Sequence, residues 1–299
     1  MSRNGSLALV AIALLAAAPA QARCVMTRGW TTITADGVTL RARTVGSGPP
    51  LLMLPSLARG PADFDALAAR VPDRTVVLFE PRWFGGSEGP EDASLFDLAD
   101  DASRVMTAVC PGEAADVIGH ALGNRIARTF AARHPDQVKR LLLFASGGQA
   151  PIPREVLAAL SGSIAQGEKP DAERLADIRL AFFATGHDPA VWLTGWVPRA
   201  GRLQQAALGR TPSSDWQTAG RAEILVVQAA EDPVAPIENA LAIQARAPNR
   251  VKIVSLPHAS HAMLPEQPAA LAAVTRAFLA GETDEAKLQA VIDAVVAAP

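Results

Sequence analysis

The chain has 299 residues, 49% of them hydrophobic, and a formal net charge of −2, which is ample for one large domain with a full core. No basic stripe runs along it, and this excludes a nucleic-acid partner on electrostatic grounds. After residue 22 no apolar run is long enough to cross a bilayer, so the mature chain is expected to have no membrane span.

In chain order, the first element is an export signal. Arg3 precedes an unbroken apolar run, Leu7–Ala18, and Ala20-Gln21-Ala22 supplies the small-x-small pattern that signal peptidases read. Residues 1–22 are expected to be removed, leaving a periplasmic or secreted protein. An uncleaved anchor is the other reading, and the run is short for one. Arg23 before Cys24 does not fit a lipoprotein site. In an oxidising compartment the two cysteines, Cys24 and Cys110, can pair and tie down the mature N-terminus. Two separate thiols are the alternative, and the sequence leaves their distance open.

Asp36-Gly37 between alternating segments predicts a hairpin over "TTITADGVTLRART". Short apolar runs at 49–55, 74–81, 114–119, 138–145, 222–230 and 250–257 read as buried strands. Helical patterns lie between them at 61–70, 94–109, 121–134, 236–247 and 266–280, with a last amphipathic helix over 283–298. Continuous apolar strands alternating with helices predict an α/β fold with a mostly parallel sheet covered on both faces. Residues 149–217 break that rhythm and hold Trp192, Trp196 and Trp216, three of the five tryptophans. They read as a helical cap inserted between a core of 23–148 and 218–299, because insertions at strand carboxyl ends shape sites in such sheets. The blander reading is a helical subdomain whose aromatics form its own core.

The stretch "DVIGHALGNRIAR" passes from a strand into a helix through Gly119-His120-Ala121-Leu122-Gly123. This is the G-x-S-x-G nucleophile elbow with alanine at its centre. The flanking glycines predict that the bend survives while Ala121 offers only a methyl. Downstream, Asp232 in "EDPVAP" and His261 in "PHASHAMLP" follow in the order acid, then base, each just beyond a strand. Asp232 is expected to fix the tautomer of His261, whose ring would reach toward Ala121. Taken singly, Asp232 also reads as a turn or capping residue and His261 as a surface histidine. His258, directly after the strand, is the weaker competitor.

The chain resembles the α/β-hydrolase superfamily across nearly all of its mature length. "LLMLPSLARGPADFD" resembles the segment after the third strand, "FEPRWFGGSEGP" the D-x-R-G-x-G-x-S loop, and "VIGHALGNRIA" the elbow. "EDPVAP" and "SHAMLPEQP" resemble its acid and histidine segments. The resemblance implies an eight-stranded, mostly parallel sheet flanked by helices with a helical cap. It further implies that the backbone N–H groups of Leu57 and Leu122 form an oxyanion hole. Four positions depart from the family: Ala121 replaces the nucleophile, Pro55-Ser56 replaces His-Gly, and Asn124 stands where many members have glycine.

A serine-acyl mechanism is therefore not expected unless another serine substitutes. Ser56 is the first suspect, ahead of Ser87, Ser146 and Ser260, all of which also read as ordinary loop serines. Removing a triad member leaves roughly 10³–10⁴-fold catalysis over water from binding and the oxyanion hole. Three readings stay open at this point. The chain is a hydrolase or lyase using a His261–Asp232 general-base dyad, a pseudo-hydrolase that binds a small ligand, or a Ser-to-Ala knockout of an exported esterase or lactonase. Ser56, Trp83, Phe183, Trp192 and Trp196 are expected to line a pocket for a small apolar substrate, with Phe182 beside them. Arg82 at the pocket mouth could hold an anion, but pairing with Glu80 or an acid of "EGPED" is preferred. The five histidines show no ligand spacing, so no metal is expected. No glycine-rich phosphate loop is present, so no cofactor is expected, and the oligomeric state is left open.

Overall fold

The computed structural model describes residues 24–298; the export signal expected at 1–22 lies outside them. Eight strands form one sheet: β1 (Thr31–Ala35), β2 (Val38–Val45), β3 (Pro50–Leu54), β4 (Thr75–Glu80), β5 (Ala115–His120), β6 (Val138–Phe144), β7 (Glu223–Ala229) and β8 (Val251–Leu256). Their order is β1-β2-β4-β3-β5-β6-β7-β8. The β1–β2 and β2–β4 pairs are antiparallel and the rest parallel. The hairpin turns at Asp36 and Gly37, both at positive φ (52° and 75°), the geometry that makes Asp-Gly a hairpin signal.

The central strands read as continuous apolar runs because both faces are covered. Leu52 and Leu54 of β3 enter one core with α2 (Leu95–Val109) and α3 (Leu122–Arg133). Leu51 and Met53 enter the opposite core with α1 (Asp65–Ala68), α8 (Met263–Glu266), α9 (Pro268–Leu279) and α10 (Glu285–Val296). Helix α7 (Ile237–Arg246) covers the first face through Ala240 and Ile243. One helix differs from expectation. The one expected over 61–70 is a 3₁₀ turn, Pro61–Phe64, running into the single turn of α1. The one expected over 266–280 is α9, which starts at Pro268, set off from α8 by Gln267 (φ −134°, ψ 50°).

Between β6 and β7 the chain leaves the alternation and builds a helical cap from α4 (Arg154–Ile164), α5 (Asp171–Phe182) and α6 (Pro198–Gly209). Cys24 and Cys110 are bridged, which fastens the first described residues to the end of α2. Among the described residues no helix is long and apolar enough to cross a membrane.

Candidate active site

The elbow forms where β5 meets α3. Ala121 caps the helix at φ 52°, ψ −110°, a region L residues rarely occupy, at a cost of about 1–3 kcal/mol. Its N–H donates to the Phe144 carbonyl at 3.0 Å. Both flanking glycines are required by close approach. A Cβ on Gly119 would stand 2.4 Å from the Gly123 carbonyl oxygen, and one on Gly123 would stand 2.0 Å from that of Leu54. The sharp strand-to-helix turn is thus retained in full around a methyl.

Asp232 lies beyond β7 and His261 beyond β8, and the fold brings them together. His261 Nδ1 lies 3.0 Å from Asp232 Oδ2 and 3.2 Å from Oδ1. Asp232 Oδ1 also accepts the N–H groups of Val234 (2.9 Å) and Ala235 (2.8 Å). The turn-forming reading of Asp232 and the dyad reading therefore both hold. With Nδ1–H given to a carboxylate, the neutral ring carries its lone pair on Nε2, the arrangement of a general base. His258 is exposed, and its carbonyl accepts the His187 ring at 2.9 Å.

The His261 loop is anchored from two sides. His120, fully buried, places Nε2 2.8 Å from the His261 carbonyl oxygen. Burial lowers the His120 pKa to about 3, with the charges of His261 and Arg59 adding to the effect. The ring is neutral at ordinary pH, so Nε2 donates and Nδ1 is a buried acceptor without a partner. On the other side, the Glu266 carboxylate accepts the N–H groups of Ser260 and Ala184, each at 2.7 Å. Burial pushes its pKa up, against those two hydrogen bonds. Glu266 thereby joins the histidine loop to the end of the cap's α5.

Leu57 follows Pro55-Ser56 on the loop after β3, and Leu122 opens α3. Among the described residues neither amide N–H has an acceptor, so both are available as donors. The next residues of the loop belong to the cap's contacts. The Ala58 N–H donates to Gln204 Oε1 at 2.8 Å, and its carbonyl accepts the Val197 N–H at 3.0 Å. Arg59 ion-pairs with Asp63 and donates to the Thr194 carbonyl at 2.8 Å. Its guanidinium lies over two indoles, 4.5 Å from Trp192 and 4.7 Å from Trp196.

Phe182, Phe183, Trp192 and Trp196 form one apolar cluster with Ala58 and Ala262. The Phe182 ring lies 5.5 Å from that of His261, and Trp192 lies 6.2 Å from His120. The Phe182 ring packs against His261, which is only 4% exposed.

Trp83, expected in the pocket, does not join this cluster. It is 2% exposed, packs with Leu54, Phe79 and Leu98 on the α2 face, and donates Nε1–H to the Gly89 carbonyl at 3.0 Å. Its positive φ of 70° turns the indole inward. Arg82 is structural, as preferred, but its partner is Asp101 of α2 in a bidentate pair at 2.8 and 2.9 Å. Glu80 instead accepts the Gly86 N–H at 2.7 Å.

Of the serines, Ser87 donates to the Glu80 carbonyl and Ser260 to that of Glu231, so both are committed locally. Ser146 is buried with an unpartnered hydroxyl. Ser56 is 7% exposed beside Leu57, and among the described residues no base contacts its hydroxyl. Arg59, His120, Gln204 and Glu266 went unmarked in the sequence because each makes a contact with a residue 82 to 146 positions away that local pattern does not show. Among the described residues no three or more His, Cys, Asp or Glu side chains gather as a metal site.

The alpha/beta hydrolase fold family model matches residues 49–268. The chain is 35% identical over 107 residues to 2-(acetamidomethylene)succinate hydrolase of Mesorhizobium japonicum, covering 35% of this chain and 38% of that protein. It is 34% identical over 122 residues to 2-hydroxymuconate semialdehyde hydrolase of Pseudomonas sp. strain CF600, covering 39% and 43% respectively. These matches span less than half the length of either relative. The crystal structure of a hydrolase from Pseudomonas aeruginosa PA01 superposes with a TM-score of 0.70 at 21% identity, covering 85% of this chain and 99% of that one. At that identity the likeness is one of fold. With the eight-stranded order, the elbow at Ala121 and a family match over most of its length, the chain belongs to the α/β-hydrolase fold family.

Proposed function

We propose that the protein is an exported enzyme that hydrolyses or cleaves a small, largely apolar organic substrate. It would use His261 as general base, with no acyl-serine intermediate. The observation that carries this reading is the buried Asp232–His261 pair at 3.0 Å, held from both sides beside an elbow whose centre is a methyl. In the hydrolytic form, His261 Nε2 takes a proton from a water molecule lodged over the Ala121 methyl. The water oxygen attacks the substrate carbonyl carbon, and the oxyanion is stabilised by the N–H groups of Leu57 and Leu122. Asp232 stabilises the imidazolium, which returns the proton to the leaving group as the carbon–heteroatom bond breaks. In the lyase form the same nitrogen removes a substrate proton directly.

Two relatives named as hydrolases of small organic molecules support a small organic substrate. The aromatic cluster of Phe183, Trp192 and Trp196, with Ser56 at its edge, supports an apolar pocket. The Cys24–Cys110 bridge supports export, because such bridges persist in oxidising compartments. One observation favours a second reading: the Phe182 ring packed against a His261 only 4% exposed suits a binder without turnover.

The test is hydrolysis of a panel of small esters, lactones and vinylogous diketones by the protein, Ala121→Ser and His261→Ala. Turnover by the protein that His261→Ala abolishes is the expected result. Activity in Ala121→Ser alone would overturn it, and would make the chain either a binder or the inactivated form of a serine hydrolase.

A further inference from the structure

Four arginines of the described chain are at least nine-tenths buried: Arg59, Arg82, Arg128 and Arg174. Three of them face a carboxylate, Asp63, Asp101 and Asp171 respectively. Arg128 is the exception. At 1% exposure it donates only to neutral oxygens, Asn124 Oδ1 and the Gly147 carbonyl, each at 2.7 Å. One helical turn earlier, Arg125 donates to the Gly148 carbonyl at 3.2 Å and likewise meets no carboxylate among the described residues. Residues 1–23 contain no aspartate or glutamate. Both guanidinium groups lie over one indole, Trp216, at 4.6 and 5.6 Å.

Donors are left over as well. The Nε atoms of Arg125 and Arg128, Trp216 Nε1 and Ser146 Oγ are all buried without a partner. Burial lowers the Arg128 pKa to about 9, and the charges of Arg125 and Arg246 add to the effect. A buried cation without a counter-charge is costly, and this chain supplies one for every comparable arginine. The cluster reaches toward solvent through half-buried Arg125. It also lies where both ends of the cap insertion return to the core, Gly147-Gly148 at its start and Trp216 at its end.

We propose that Arg125 and Arg128, walled by Trp216, bind a small oxyanion, a carboxylate or phosphate group, at the base of the cap. The planar guanidinium forks suit the paired oxygens that both groups present. This site is separate from the dyad and independent of the reaction proposed for it.

The experiment is thermal denaturation of the protein and Arg125→Gln in sodium phosphate, sodium acetate and sodium chloride at equal ionic strength. Phosphate or acetate is expected to raise the Tm of the protein by roughly 5 °C beyond chloride. Arg125→Gln, its folding checked by a cooperative melt in chloride, is expected to lose most of that excess. Calorimetric titration with phosphate or acetate, whichever stabilises more, should show at least about a tenfold weaker Kd for Arg125→Gln, the loss of roughly 1.4 kcal/mol. A response to acetate alone assigns a carboxylate ligand, and one to phosphate alone a tetrahedral one. Equal stabilisation of the protein by all three salts, or an excess that Arg125→Gln keeps, overturns the proposal.

Discussion

Replacing Ala121 by glycine tests whether the elbow stores strain without a nucleophile to justify it. Alanine at φ 52°, ψ −110° sits about 1–3 kcal/mol above its relaxed backbone. Glycine adopts the same angles freely, but the unfolded chain gains freedom worth about 0.4–1 kcal/mol. Ala121 is only half-buried, so the lost methyl contributes at most about 0.8 kcal/mol. The balance is a net stabilisation near 1 kcal/mol, a rise in Tm of about 2–4 °C for a chain of this size. Urea denaturation of a four-member series gives the check. Gly should exceed Ala, Ser should fall close to Ala, and β-branched Val should lie well below, because it tolerates positive φ least. A glycine variant destabilised by more than about 1 kcal/mol would refute the assignment of strain.

Two further outcomes follow from buried groups. His120 is neutral down to about pH 3, whereas its unfolded value is 6.5. Its stabilising contribution is complete above pH 6.5 and is lost as pH falls toward 3, at up to about 1.4 kcal/mol per pH unit. His120→Gln should therefore flatten the urea-derived stability profile between pH 6.5 and 4 by about one proton. An unchanged slope would mean that His120 titrates freely in the fold. The Cys24–Cys110 bridge joins residues 86 apart in sequence, and a loop of that length is worth about 4–5 kcal/mol in the chain-entropy account. Melting with and without reductant should separate by roughly 10 °C, and coincident curves would show that the bridge adds nothing.

The sheet was legible because each central strand is buried on both faces and so appears as a short continuous apolar run. The elbow was legible because Gly119 and Gly123 are fixed by backbone contacts a few residues away in space. Asp232 and His261 were legible from their order and their places beyond strands. Other features depend on which distant side chain occupies a space, and local pattern carries no such information. Arg82 could have met any of several acids, and its partner proved to be Asp101 one element on. Trp83 looked like a rim aromatic, but the left-handed turn at that residue aims the indole into the core. Arg59 carries no motif, because its place against Trp192 and Trp196 exists only once the cap has folded over the loop after β3.

Ala121 and Asn124 are the two departures within the elbow, and the structure gives them different standing. Asn124 is fully buried. Its Nδ2 donates to the Ala145 carbonyl at 3.0 Å, and its Oδ1 accepts Arg128. Arg128 in turn donates to the Gly147 carbonyl. The asparagine therefore belongs to a network that ties the elbow helix to the loop entering the cap, and glycine could make none of those bonds. A lone Ser-to-Ala exchange in an ordinary elbow would not bring such a partner with it. The histidine loop beyond β8 is held in place by His120 and Glu266. A base anchored in this way suits the base-only chemistry proposed above. On that argument, restoring a hydroxyl by Ala121→Ser should add far less activity than His261→Ala removes.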